Sequence, residues 1–574
     1  MNSFRLAFLL FVLSFLRVAA TTPSAPELSL GSAFALLQAN DTDAAIKILK
    51  EITTKQPSNV RAWRMLGTAY HQKKDWDNAI RALEKSFELD PQYPTTLYNL
   101  GAAFAQKGDK TKALEWLNKA RATKRADMTG VKEDPDLTSL KSDPRFRALV
   151  PAPEDFANPF VEDVKILREW DGEAANDQFG WIARDIGDVD GDGVHDFVTS
   201  APGSSAGGEK AGRVYVYSTR TGKLLWKVDG KAKDELGAGV ECAGDTDGDG
   251  IPDVVASGPG GGVAYVYSGK DGHVLLSLKS EHKGEAFGWH VSGIGDVNHD
   301  GHADIIVGAP PPEDGPPGKG IGHAYVYSGK DGKLLLTLTG EAEGDGFGSA
   351  VAGYSDGKQM FLIVGAPQAG PQQKGRIYVY DQLSTKPTFV IEGDETAKSL
   401  GWMFVSVIGD IDADSVPDIY ASDWQNSAKG PSTGRIYVHS GKDGRRLLTL
   451  TGETQGEGFG TCPAHAGDVN RDGHDDLIVG AWQYGGAAAS GGRATLFSGK
   501  DGTVLKTYTC RIPGDTFGFD AVGMGDTDGD GTTDFLITSG WSGVHGYHSG
   551  RIFLISSGVT PTPPTATNAT VVRP

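Results

Sequence analysis

Apolar and polar residues follow two different periods along this chain, and the change falls near residue 150. From about Leu28 to Val150, Ala and Leu recur every three or four positions among Lys and Glu, which predicts amphipathic helices. From Val161 to Ser557 the apolar residues come in short β-branched and aromatic runs, such as Ile305-Ile306-Val307 and Ile377-Tyr378-Val379-Tyr380. Gly and Asp separate these runs, which predicts strands joined by tight turns. Ahead of both regimes, Arg5 precedes the apolar run Leu6 to Leu16, and Val18-Ala19-Ala20 closes it with small residues. Residues 1–20 therefore read as a cleaved secretory signal, and no later apolar stretch is long enough to span a bilayer. The protein is expected to be secreted or periplasmic.

The helical part repeats at 34 residues. Trp63, Leu66, Gly67, Tyr70, Ala79 and Pro91 recur in role as Leu100, Gly101, Phe104 and Ala113, and in weaker form upstream as Ala45 and Pro57. This pattern resembles tetratricopeptide repeats, which implies about three helix pairs over residues 28–150 forming a short array with a concave groove. The groove reads either as a docking site for a peptide or protein, or as a spacer or dimerisation element. Asp134-Pro135-Asp136-Leu137 through Asp143-Pro144-Arg145-Phe146 reads as a capping helix, and residues 151–160 read as a linker.

Downstream, each unit runs Phe-Gly, a strand, an Asp-rich loop, a strand ending near Gly-Ala-Pro, a variable loop, and two further strands around a Ser-Gly-Lys-Asp-Gly turn. The Asp-rich loops begin at residues 188, 245, 296, 410, 468 and 526. The wide gap between the third and fourth hides one more unit, marked by Phe347-Gly348 and Gly365-Ala366-Pro367, whose loop is reduced to Ser355-Asp356-Gly357-Lys358. Seven units of four strands predict a β-propeller rather than a sandwich. The last unit stops after its third strand, and Val164 to Trp170 matches a fourth strand standing before the first unit. These two ends should pair and close the ring. The fold class is thus multidomain, with an all-α repeat array followed by an all-β seven-bladed propeller over residues 161–557.

The loops carry the candidate chemistry. Oxygen ligands at positions 1, 3, 5 and 9, a backbone carbonyl at 7 and a turn residue at 6 form a cage for Ca²⁺. The sets are Asp188, Asp190, Asp192 and Asp196; Asp245, Asp247, Asp249 and Asp253; Asp296, Asn298, Asp300 and Asp304. They continue as Asp410, Asp412, Asp414 and Asp418; Asp468, Asn470, Asp472 and Asp476; Asp526, Asp528, Asp530 and Asp534. Strands rather than helices flank each loop, which excludes an EF-hand. The Ser355–Lys358 turn should hold no metal, Ser415 strains the fifth unit's turn, and Asn298 and Asn470 weaken their cages, so the loops at 188, 245 and 526 should bind tightest. The net charge of −19 argues against a nucleic-acid partner, and six calcium ions would bring it to about −7.

Phe-Gly, Gly-Ala-Pro and the Asp-x-Asp-x-Asp-Gly-x-x-Asp loop together resemble the FG-GAP repeats of the integrin alpha-subunit propeller. The resemblance implies structural calcium on the lower face and partner contacts on the upper. Trp424, Trp482 and Trp541 begin upper-face loops, with Tyr484 and Tyr547 nearby, and are candidates for binding a protein or a glycan. Trp181, Trp289 and Trp402 follow Phe-Gly or Leu-Gly and should pack between blades. His195, His302 and His474 lie within the acidic loops and should face solvent. Cys242, Cys462 and Cys510 read as unpaired buried thiols. No Gly-x-Ser-x-Gly elbow, His-Glu-x-x-His helix or P-loop is present, so no residue is assigned as catalytic. The reading is an exported, non-catalytic, calcium-binding interaction, adhesion or scaffold protein. The alternative is a secreted enzyme, either carbohydrate-active or a quinoprotein oxidoreductase, because Thr221 to Trp226 resembles a tryptophan docking turn of quinoprotein propellers. The Pro- and Thr-rich tail, residues 558–574, should be disordered, and Asn40 and Asn568 head glycosylation sequons.

Overall fold

The computed structural model describes residues 30–560 apart from 39, 92, 124–125, 283 and 312–319. The signal reading of residues 1–20 and the tail from 561 lie outside the described residues. The chain divides into two compact units between Asp155 and Phe156.

The first unit is a stack of helix pairs. Its helices are α1 (Leu30–Gln38), α2 (Thr42–Lys55), α3 (Val60–Gln72), α4 (Trp76–Leu89), α5 (Pro94–Gln106) and α6 (Lys110–Ala122). The repeat is visible in its caps: Asp41, Asp75 and Asp109, spaced by 34, each accept a backbone N–H at the start of α2, α4 and α6. It is visible again in packing. A Cβ on Gly67 would lie 2.5 Å from the Leu83 side chain, and one on Gly101 would lie 2.6 Å from Leu117, so each pair closes only over glycine. The segment read as one capping helix is instead a 3₁₀ turn, Pro135–Leu140, followed by α7 (Pro144–Arg147). Asp143 stands in extended conformation before Pro144 and splits the two, as the residue before a proline tends to do. Both pieces still cover the array's end, burying Leu137, Leu140, Phe146 and Leu149, while Tyr98 Oη donates to Asp134 at 2.7 Å.

The second unit is a ring of seven four-stranded antiparallel sheets. Blades 1 to 6 span Ala183–Asp229, Gly239–Lys279, His290–Thr339, Ala350–Glu392, Val405–Thr451 and Phe459–Thr509. Blade 7 takes three strands from Ala521–Ser556 and its fourth from Ile166–Asp171, with Trp170 opposite Ile552 and Asp171 opposite Arg551. The innermost strands of consecutive blades neighbour one another all the way round, blade 7 against blade 1 included. Second strands such as Asp304–Ala309 and Asp476–Ala481 are buried at every position, because other strands and blades cover both their faces. Phe160, in the stretch read as a linker, packs on Phe517 at 4.9 Å and Phe553 at 5.2 Å.

The Phe-Gly and Gly-Ala-Pro signatures have a steric reason. Within a blade the Phe-Gly glycine donates its N–H to the glycine of Gly-Ala-Pro, as Gly348 does to Gly365 at 3.0 Å. Its own carbonyl meets the preceding blade: a Cβ on Gly308 would stand 2.2 Å from the Gly348 oxygen, and one on Gly365 would stand 2.1 Å from the Gly401 oxygen. Backbone-to-backbone contact of this kind leaves no room for a side chain. Tryptophans add blade-to-blade ties. Trp170 Nε1 donates to Gly222 O of blade 1 at 3.1 Å, and Trp226 Nε1 donates to Gly269 O of blade 2 at 2.7 Å.

Trp170 also meets Phe197 edge-on at 4.8 Å, so this single side chain joins the N-terminal strand to the blade across the closure. Trp170→Ala is expected to cost about 3–5 kcal/mol, read as a lowered midpoint in denaturant unfolding. A midpoint within error of the parent would contradict the seam's importance.

Candidate metal centre

Six acidic loops join the first and second strands of blades 1, 2, 3, 5, 6 and 7, all on one face of the ring. Their geometry repeats. The position-1 aspartate accepts the backbone N–H of position 6 at 2.7–2.9 Å in every loop. Position 6 adopts the left-handed conformation, with φ of +85° at Gly193 and +69° at Ser415. A serine there carries the strain that a glycine avoids.

Position 9 is the buried anchor. Asp196, Asp253, Asp304, Asp418, Asp476 and Asp534 are at most 1% exposed. In each, Oδ2 accepts the N–H of position 2 at 2.8–3.0 Å. In five, Oδ1 accepts an N–H from the turn after the third strand: Thr219, Gly269, Gly329, Gly441 or Gly499. One carboxylate thus ties two hairpin ends together. Blade 7 has no such turn, since its fourth strand arrives from the other end of the chain, and Asp534 Oδ1 is left without a partner. Burial pushes Asp196, Asp304, Asp476 and Asp534 up to about 6 and Asp418 to about 7, against the hydrogen bonds that pull them down.

Carboxylate oxygens converge to within 4.8 Å in Asp188/Asp190/Asp192, Asp245/Asp247/Asp249, Asp410/Asp412/Asp418 and Asp526/Asp528/Asp534. Loops 3 and 6 bring Asn298 and Asn470 beside Asp300 and Asp472, whose backbone N–H groups they accept at 2.9 Å. Such all-oxygen sets suit a hard divalent cation. Blade 4 differs: Asp356 Oδ1 accepts from Lys358 and Gln359 N–H groups at 2.8 Å, closing a tight turn with no acidic cluster among the described residues. Cationic side chains lean on three of the loops. Lys165 Nζ lies 2.8 Å from both Asp528 and Asp530, Arg220 lies 3.4 Å from Asp192, and Arg445 pairs with Asp412. Loop 7 therefore carries an internal competitor that its acidic spacing does not reveal.

Other predicted residues lie elsewhere than expected. Trp424, Trp482 and Trp541 are 3–6% exposed, so they do not stand on the rim for a partner. They pack on one another and on Trp181, Trp402 and Phe519, with Trp482 stacked on Trp541 at 5.0 Å and Trp402 tilted against Trp424 at 5.2 Å. Tyr484 is half-buried under Arg493 at 3.6 Å, and Tyr547 stacks on His548 at 3.6 Å. His302 and His474 do not face solvent: each reaches the position-2 carbonyl of the preceding blade's loop, His302 to Thr246 at 2.7 Å and His474 to Ile411 at 2.6 Å. His195 is exposed and pairs with Asp185 at 2.8 Å. The three cysteines are unpaired, Cys462 and Cys510 buried and Cys242 half-buried. Sequence reasoning missed an ion triad joining innermost strands, in which Arg184 pairs with Glu241 at 2.8 Å and with Asp520. It also missed a second cluster, His282, Glu285 and His323, on the opposite face.

Residues 185–217 match the FG-GAP repeat and residues 245–307 the FG-GAP-like repeat, while residues 26–69 match the tetratricopeptide repeat and 67–108 the TPR repeat. Integrin alpha pat-2 of Caenorhabditis elegans is 32% identical over 256 residues, covering 38% of this chain and 19% of that protein. Integrin alpha-V of Gallus gallus is 30% identical over 238 residues, covering 36% of this chain and 22% of its own length. Phosphatidylinositol-glycan-specific phospholipase D of Homo sapiens is 26% identical over 395 residues, covering 57% of this chain and 46% of that enzyme. The chain spans less than half the length of each of these relatives. No helix among the described residues is long and apolar enough to cross a membrane. Tetratricopeptide repeats followed by FG-GAP repeats on an integrin-alpha-like seven-bladed propeller are what this chain is.

Proposed function

We propose that the protein is an exported, calcium-stabilised binding protein whose propeller presents its upper face, and whose helical array presents its groove, to protein partners. The observation that carries this reading is the acidic loop repeated in six blades on one face of a ring similar to integrin alpha propellers, with three carboxylates converging in four of the six. Calcium would be held by positions 1, 3, 5 and 9 together with the position-7 carbonyl, and would add stability only to the folded state. At a hundredfold excess over Kd each ion is worth about 2.7 kcal/mol. A glycan partner loses its support, because the tryptophans that suggested it are buried. The likeness to a phosphatidylinositol-glycan-specific phospholipase D favours a second reading, hydrolysis of phosphatidylinositol-glycan anchors. Release of an anchored protein from vesicles on incubation with the purified chain would support that reading and overturn the non-catalytic one.

The raised position-9 carboxyls set a pH dependence. Their ordinary value is 3.8, and burial raises Asp196, Asp304, Asp476 and Asp534 to about 6 and Asp418 to about 7. Without metal they stabilise the fold while protonated, below about pH 4, and this contribution is lost as pH climbs through about 6. Calcium binds the ionised form, so the rise in Tm on adding calcium should be small at about pH 4.5 and grow through about pH 6. A calcium effect flat across that range, or absent throughout, would count against calcium in these loops. For the binding role, affinity capture from the exported fraction of the source cells should retain a protein partner with calcium and release it with chelator. Retention of the same partner at the same level by chelated protein would contradict a calcium-dependent surface.

A further inference from the structure

Four blades share a clamp that blade 3 lacks. The first residue of the third strand is arginine in blades 1, 4, 5, 6 and 7; in blade 7 Arg551 pairs with Glu169 and Asp171 of the fourth strand, and in the other four the arginine pairs with a carboxylate from the connection entering its blade. The pairs are Arg213–Glu173 at 2.8 Å, Arg376–Glu341 at 2.9 Å, Arg435–Asp394 at 2.7 Å and Arg493–Glu453 at 3.0 Å. In blade 3 that arginine is replaced by His323, whose Nδ1 lies 2.9 Å from Glu285 Oε2. A second imidazole, His282 from the same connection, stacks on His323 with ring centres 4.4 Å apart and planes 5° from parallel. A clamp needs one cation and one carboxylate, and the second ring has no part in it.

We propose that His282, His323 and Glu285 form a site for a single transition-metal ion of the zinc class. Ligand atoms of the three residues lie within 4.8 Å of one another. Two imidazoles and one carboxylate are the donors of open zinc sites and are poorly matched to calcium, which the acidic loops suit instead. The residues behind them are arranged to hold the donors. Tyr325 Oη donates to Glu285 Oε1 at 2.6 Å, Ser280 Oγ donates to the same carboxylate, and His282 Nδ1 lies 2.7 Å from Tyr325 Oη. Oriented carboxylates and imidazoles of this kind fix ligand direction around a metal. The Glu285 side chain is 6% exposed and that of His323 is 13%, while His282 is exposed, so the site is walled on the protein side and open to a further ligand on the other. By strand order the connection entering blade 3 and the start of its third strand lie on the face opposite the acidic loops, so the two classes of metal are kept apart.

The test is zinc titration by calorimetry on the full chain, stripped of metal and then saturated with calcium so that the aspartate loops are filled. A single zinc is expected to bind. His282→Ala, at an exposed position in the connection, and His323→Gln should each weaken zinc at least tenfold, by the scale of losses at such sites. Calcium stoichiometry should stay unchanged in both. Absence of zinc uptake in the calcium-saturated parent would overturn the site. Uptake with undiminished affinity by the double variant would also overturn it, since the zinc would then reside elsewhere.

Discussion

In six of the seven blades one buried carboxylate holds the lower face of the propeller together. In five of them the two oxygens of the position-9 aspartate take N–H groups from two separate hairpins, so the acidic loop and the turn beside it share an anchor. A buried carboxylate is costly as an anion unless hydrogen bonds or a cation compensate it. Two backbone donors compensate only in part, since burial still holds these carboxyls above their ordinary value. A divalent ion at positions 1, 3 and 5 would supply the remainder. In blade 7 the chain break removes the donor from the neighbouring turn and leaves Asp534 Oδ1 without one, while Thr527 supplies both its N–H and its hydroxyl to Oδ2.

Small residues do the corresponding work higher in the blades. Glycines of Gly-Ala-Pro meet glycine carbonyls of the next blade at distances that admit no side chain, and in the first unit Gly67 and Gly101 make room for Leu83 and Leu117 of the paired helices. Both units are therefore repeats whose neighbours approach closely at one fixed position, while variable loops are free to diverge. In blade 3 that freedom has placed His323 where five other blades keep an arginine, with His282 stacked on it.

Much of this was legible in the residues. The 34-residue spacing of Gly67 and Gly101, the six Asp loops and the orphan strand ending at Trp170 state their partners through spacing alone, because repeats impose the same contacts on the same positions. What spacing does not carry is side-chain direction. Trp424, Trp482 and Trp541 begin rim loops, yet they point toward one another and bury, since aromatic surface from adjacent blades is better packed than hydrated. Lys165 precedes the first blade by sequence and reaches Asp528 only through ring closure, 363 residues away. His282 and His323 belong to different strands' ends and become neighbours only once blade 3 folds.

A crystal structure grown in excess calcium tests the central claim most directly. Ions are expected in the loops of blades 1, 2, 3, 5, 6 and 7, with the position-9 aspartates turned to them, and none at Ser355–Lys358. An intact ring with those loops empty would contradict it.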